Sequence, residues 1–199
     1  LTECMRASYL PPQELERRPD SVGRGIPFQE HWLQDEHGQR LPPGSTGELV
    51  VCGPHVSAGY WRQPAGLPSR MTPGERPGEH VLRTGDVFRS DAEGWLYFVG
   101  RNDDVFKSRG EKVHPLEVEQ AICELPGVQD AAVTGVPDER LGLAVKAFVR
   151  LRPGAELTER EVIRHCLGRL ESWMAPKTVV FVTELPLTES GKLRRRDLH

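Results

Sequence analysis

A mobile ammonium on a loop bounded by proline and glycine can reach a developing negative charge, and Leu185-Pro186-Leu187-Thr188-Glu189-Ser190-Gly191-Lys192 has that form. Lys192 is therefore the first candidate for chemistry. A denser segment precedes it: Gly100-Arg101-Asn102-Asp103-Asp104-Val105-Phe106-Lys107-Ser108-Arg109-Gly110 gathers basic groups, carboxylates and glycine into a link between two apolar strands. A third candidate is Thr84-Gly85-Asp86, where glycine permits a tight turn and the carboxylate is expected at a loop tip. One carboxylate can accept hydrogen bonds from both hydroxyls of a ribose. Taken singly, each has an ordinary reading as an exposed lysine, a solvated charged hairpin or a simple turn.

Other chemistries are disfavoured. Cys4, Cys52, Cys123 and Cys166 are widely spaced with no C-x-x-C, which argues against a metal cluster or a disulfide framework and for free buried thiols. The seven histidines contain no H-x-x-x-H pair, so no zinc site is indicated. Arg194-Arg195-Arg196 has no interleaved aromatics, and a net charge of -3 supplies no global field for nucleic acid or an acidic membrane. No apolar run approaches membrane-spanning length, and the opening Leu1-Thr2-Glu3-Cys4 does not resemble a signal peptide. A cytoplasmic setting without nucleic-acid or membrane partners is expected.

The elements that must position these residues fall into two styles. Residues 1–45 are rich in proline, glycine and charge. Gly47–Gly53 and Gly94–Gly100 are glycine-bounded strands, and residues 62–80, without periodicity, read as a surface loop. Further on, Pro115 opens a helix with Val118, Ala121, Ile122 and Leu125 on one face and Gly127 as its stop. Val145, Ala147, Val149 and Leu151 alternate as a half-buried strand. Thr158 and Glu161 predict a capping box for a helix that turns Val162, Ile163, Cys166, Leu167 and Leu170 inward, and Thr178–Thr183 reads as a strand. All five lysines lie in the second half, a shift that fits two units. Helix, strand, strand, helix, strand over 104–199 predicts a compact α+β domain.

In this order, the segments resemble the adenylate-forming ligase superfamily: acyl-CoA synthetases, nonribosomal peptide adenylation domains and beetle luciferases. The resemblance runs through Leu1-Thr2-Glu3, Gly47-Glu48-Leu49 with Gly59-Tyr60-Trp61, Thr84-Gly85-Asp86, Gly100–Gly110 and Ser190-Gly191-Lys192. It implies that Thr2 contacts the adenylate, Glu3 helps hold Mg²⁺, Asp86 binds the ribose hydroxyls and Arg101 contacts ribose or phosphate. It further implies that Asp103 is a hinge and that Lys192 bridges the substrate carboxylate and the ATP phosphate. After rotation, a loop with Lys107 and Gly110 would replace Lys192 beside a thiol arm.

The implied fold is mixed, with a partial β-barrel subdomain over 1–101 ending the large AMP-binding domain and a compact α+β lid domain over 104–199. ATP, Mg²⁺ and coenzyme A (or carrier-protein phosphopantetheine) are the implied cofactors. A carboxylic acid, a thiol acceptor and a missing N-terminal domain of the same enzyme are the implied partners. Phe106–Val113 and Gly191–Arg195 look most like acyl-CoA synthetases. A carrier-loading ligase and a non-catalytic binding module are the alternatives. Without the phosphate-binding loop of the large domain, the chain alone is expected to be inactive.

Overall fold

The computed structural model describes residues 1–62, 70–187, 189 and 193–198. The chain divides into two compact units, Leu1–Asp103 and Asp104–His199. Thr188, Ser190, Gly191 and Lys192 lie outside the described residues, so the leading sequence candidate receives no structural placement.

The first unit is one antiparallel sheet, curled as a half-barrel. Its strands are β1 (Ser8–Tyr9), β2 (Ser21–Gly25), β3 (Glu30–Gln34), β4 (Thr46–Cys52), β5 (Met71–Pro73), β6 (His80–Ser90) and β7 (Leu96–Arg101). They lie in the order β1-β2-β7-β6-β4-β3, with β5 also paired to β6. Leu33, Leu49, Val51, Met71, Leu82, Phe88 and Leu96 close one buried core with Cys4 and Val56. The stretch read as a loop over 62–80 thus contains a strand. Met71 is buried against Leu82, and Met71–Pro73 takes its register from β6 rather than from any periodicity of its own.

The β4–β6 pairing contains an irregularity that positions a candidate residue. Glu48 faces Val87 and Val50 faces Arg83, so Leu49 alone lies opposite Thr84, Gly85 and Asp86. Two extra residues therefore bulge from β6. Because the number is even, the inside-outside alternation survives, and Leu82 and Phe88 on either side both reach the core.

Among the described residues, the second unit is a five-stranded sheet with two α-helices. Strands β8 (Phe106–Ser108), β9 (Glu111–Val113), β10 (Val128–Asp138) and β11 (Gly142–Leu151) run β10-β11-β8-β9, and β12 (Thr178–Phe181) pairs parallel to β11. Helices α1 (Pro115–Cys123) and α2 (Glu159–Arg169) contribute Val118, Ile122, Val162 and Cys166 to the main core, with Val133, Val145, Ala147 and Val149 from the sheet. The capping box at Thr158 and Glu161 is present in both directions. Leu167 departs from expectation: it is 53% exposed, because the inward line of α2 runs through Val162 and Cys166 and Leu167 lies about 100° further round. Cys123 is also exposed, whereas the other three thiols are buried, and all four are free.

A buried ion pair fixes the end of this unit. Glu119 on α1 is nearly fully buried and receives the Arg195 guanidinium through both carboxylate oxygens, while its Oε1 accepts from Val133 N at 2.7 Å. Arg195 also donates to Val133 O at 3.0 Å and to Asp104 Oδ2 at 3.2 Å. Arg195→Met strands the Glu119 charge and is expected to cost about 3–5 kcal/mol, read from urea unfolding of the chain. Adding Glu119→Gln should recover part of that loss. Equal destabilisation of the single and double variants would show that the ion pair is not the cause.

Candidate functional site

Thr84-Gly85-Asp86 does not sit at a loop tip. It forms the bulge within β6, and Thr84 and Asp86 are buried. Gly85 has φ +73°, a left-handed conformation that favours glycine, and a Cβ there would have to displace the Arg70 guanidinium from its present place. The bulge removes ladder partners, and side chains replace them. Thr84 Oγ1 donates to Leu49 O at 2.8 Å and accepts from Asp86 N at 3.1 Å. Gly85 N donates to Glu48 Oε1 at 3.1 Å.

Asp86 faces Arg101 across β6 and β7, and Arg101 Nη1 donates to Asp86 Oδ1 at 2.9 Å. The other arm of Arg101 lies 3.6 Å from Asp103 Oδ2. Arg70 closes the ring, with Nη2 donating to Asp103 Oδ2 at 2.7 Å and Nη1 to Thr84 O at 3.2 Å. Asp86, Arg101 and Asp103, chosen from two separate sequence segments, are therefore brought together. Arg70 was missed because it follows a proline-rich stretch with no pattern around it.

Glu3 belongs to the same unit. The segment that carries it is held by the bridge between Cys4 and Val56 and by Ser57 N donating to Glu3 O at 2.8 Å. The Tyr60 hydroxyl donates to Glu3 Oε1, and this bond holds the carboxyl below its ordinary pKa, with Arg70 adding a smaller pull. An ionised carboxylate suits magnesium, which binds one or two carboxylates and takes further ligands from substrate phosphates. Among the described residues, no three His, Cys, Asp or Glu side chains gather as a metal cage. Thr2 is exposed beside Glu3.

Lys107 and Gly110 fall in the second unit, on the β8–β9 hairpin. Arg109 (φ 55°) and Gly110 (φ 85°) are both left-handed, the signature of a two-residue type I′ turn. The turn is tied down by Arg109 N donating to Leu141 O at 3.1 Å and by Ser108 pairing with Gly142. Lys107 and Gly110 are exposed. Leu187 and Leu193 form a bridge, and Arg194 N donates to Pro186 O at 2.9 Å. The described chain on either side of Lys192 is thus paired to itself.

Burial is the largest influence on Asp86 and raises its pKa above the usual aspartate value, against the opposing pull of Arg101 and Arg70. With a raised folded-state pKa, ionised Asp86 works against folding above that pKa. The effect vanishes below the unfolded value of about 3.9. Asp86→Asn should therefore raise Tm at pH 7, with the gain shrinking as pH falls toward 4. A variant less stable than wild type at pH 7, or a gain independent of pH, contradicts this balance.

The chain is similar to known proteins along its length. The AMP-binding enzyme family profile matches residues 1–61, and the AMP-binding enzyme C-terminal domain profile matches residues 117–192. A long-chain-fatty-acid–CoA ligase of Escherichia coli is 37% identical over 100% of this chain and 34% of its own length. An indoleacetate–CoA ligase of Aromatoleum aromaticum is 35% identical over 98% of this chain and 37% of its own. The o-succinylbenzoate CoA synthetase of Bacillus subtilis, solved with its acyl-adenylate intermediate, aligns with a TM-score of 0.87 at 29% identity, covering 100% of this chain and 39% of that one. An amide bond synthetase from Marinactinospora thermotolerans aligns with a TM-score of 0.81 at 33% identity, covering 92% and 36%. The chain spans about a third of the length of the curated relatives it matches. Among the described residues, no helix is long and apolar enough to cross a membrane. With both profiles matched in chain order and these relatives aligned along nearly its whole length, the chain belongs to the AMP-binding, adenylate-forming enzyme family and matches a C-terminal portion of these relatives.

Proposed function

We propose that this chain is the C-terminal part of an ATP-dependent acid–thiol ligase that forms an acyl-adenylate and then an acyl-CoA thioester. Residues 1–101 end the AMP-binding domain, and 104–199 form the lid domain. The observation that carries the reading is the Asp86 carboxylate, buried, aimed by a bulge and joined through Arg101 to Asp103. A carboxylate offers about four lone-pair positions, so the contact with Arg101 leaves capacity for two ribose hydroxyls. Arg101 then lies beside the ribose or phosphates, and Thr2 contacts the adenylate.

In the first half-reaction a substrate carboxylate oxygen attacks the α-phosphorus, and the bond to pyrophosphate breaks. Both reactants are anions, so the step needs positive charge where they meet. Lys192 supplies it. Mg²⁺, held in part by Glu3, neutralises phosphate charge when bound. In the second half-reaction the CoA sulfur attacks the acyl carbon and AMP leaves. That step needs an open path for a long thiol arm, which the hairpin with Lys107 and Gly110 lines. One lid in two orientations serves both steps, and Asp103 absorbs the backbone change.

In a full-length ligase whose C-terminal third is this chain, Lys192→Ala should slow adenylation by about 10²–10³. Thioester formation from synthetic acyl-adenylate and CoA should largely survive. An equal fall in both half-reactions removes Lys192 from the adenylating role. The isolated 199-residue chain should give no ATP–pyrophosphate exchange with any carboxylic acid, and measurable exchange free of contaminating ligase would mean that it holds a complete site.

A further inference from the structure

Glu48 is a charged side chain in an unusual place: nine-tenths of it is buried, in the middle of β4. Its two carboxylate oxygens divide their work. Oε2 accepts from Gln34 Nε2 at 3.1 Å and from Arg83 Nε and Nη2 at 3.2 and 2.9 Å. Oε1 accepts from the backbone N–H of Gly85 at 3.1 Å. The first set neutralises and aims the carboxylate. The second uses it as a substitute for the strand carbonyl that the bulge has displaced.

We propose that Glu48 is a positioning residue for nucleotide binding, acting through Gly85 on Asp86. The inference rests on the reading of Asp86 as the ribose ligand. Two extra residues in β6 could buckle in several ways, because Gly85 alone imposes little preference. Glu48 and Thr84 select one of them. Glu48 pins the N–H of Gly85, and Thr84 Oγ1 pins the N–H of Asp86. Together they fix the peptide units on both sides of Gly85, and hence the direction in which Asp86 leaves the strand. The Arg101 side chain orients the carboxylate once it is there, and the β6–β7 ladder holds the Asp86 backbone from the other side, while Glu48 and Thr84 set how the chain approaches it through Gly85.

Nothing local distinguishes this role in the sequence. Glu48 lies 37 residues before the amide that it holds. An ordinary solvent-facing strand glutamate would not be buried, would not need both Gln34 and Arg83, and would not meet a backbone N–H at a bulge.

The test uses the same full-length ligase, with ATP–pyrophosphate exchange as the readout. Glu48→Ala should raise the KM for ATP by about 10- to 100-fold with a smaller change in kcat, as expected when a binding group is misplaced by about an ångström. Glu48→Met keeps most of the side-chain volume but offers Gly85 no oxygen, and should raise the KM for ATP much as Glu48→Ala does, which a role in packing alone would not predict. Asp86→Ala is the reference. In its background, Glu48→Ala should add little, since the group being positioned is gone. Multiplying effects, or a normal KM in Glu48→Ala beside a raised KM in Asp86→Ala, would overturn the proposal. A normal KM in Asp86→Ala would instead remove the ribose reading on which it rests. If Glu48→Ala fails to fold, Glu48→Met decides alone: a wild-type KM beside a raised KM in Asp86→Ala contradicts the backbone-acceptor role.

Discussion

Strand β6 carries two more residues than the stretch of β4 that it faces, and most of the candidate site follows from where they go. A bulge leaves backbone donors without ladder partners, and buried unpaired donors cost on the order of 1–3 kcal/mol each. Glu48 and Thr84 supply the missing acceptors, and Arg70 caps Thr84 O from the other side. The same displacement sets Asp86 beside Arg101, so the geometry that satisfies the backbone also builds the cluster. Asp86 is held in surroundings that raise its pKa, a local cost of the kind found where burial and charge are arranged for binding rather than stability.

The second unit uses a related device for a different purpose. Glu119 is another buried carboxylate, again divided between a backbone N–H and a guanidinium. Here the arginine is the part being held. Arg195 draws the C-terminal turn onto α1, β10 and Asp104, three residues after Lys192. Beneath it, Leu193 and Leu198 pack with Ala132 and Phe148 on the sheet face away from the helices. The segment that supplies the proposed adenylating lysine therefore has a fixed base on its C-terminal side.

Local patterns in the sequence predicted local structure well. Pro115 and Gly127 bracket α1, the Thr158–Glu161 box starts α2, and the alternation at Val145–Leu151 appears in β11. Each signal lies within a few residues of the element it specifies. The candidate cluster was legible in part, because Asp86, Arg101 and Asp103 sit in recognisable motifs, but their mutual contacts were not. Arg70 meets Asp103 across 33 residues, and Glu48 meets Gly85 across 37. Neither pairing leaves a local trace, since register and bulges are set by the whole sheet. The loop-tip placement of Thr84-Gly85-Asp86 failed for the same reason: glycine and aspartate mark a turn and a bulge alike, and only the pairing partner tells them apart.

The central claim is that Asp86 holds the ribose hydroxyls of an adenylate. Its most direct test compares AMP with 2′,3′-dideoxy-AMP, which lacks those hydroxyls, by equilibrium binding to the full-length ligase. Hydrogen bonds to a charged group contribute about 1.5–3 kcal/mol each, so wild type should prefer AMP by at least about 10- to 100-fold. Asp86→Asn should lose most of that preference by weakening AMP while leaving the dideoxy analogue nearly unchanged. A variant that discriminates between the two nucleotides as strongly as wild type would contradict the account, whatever its activity.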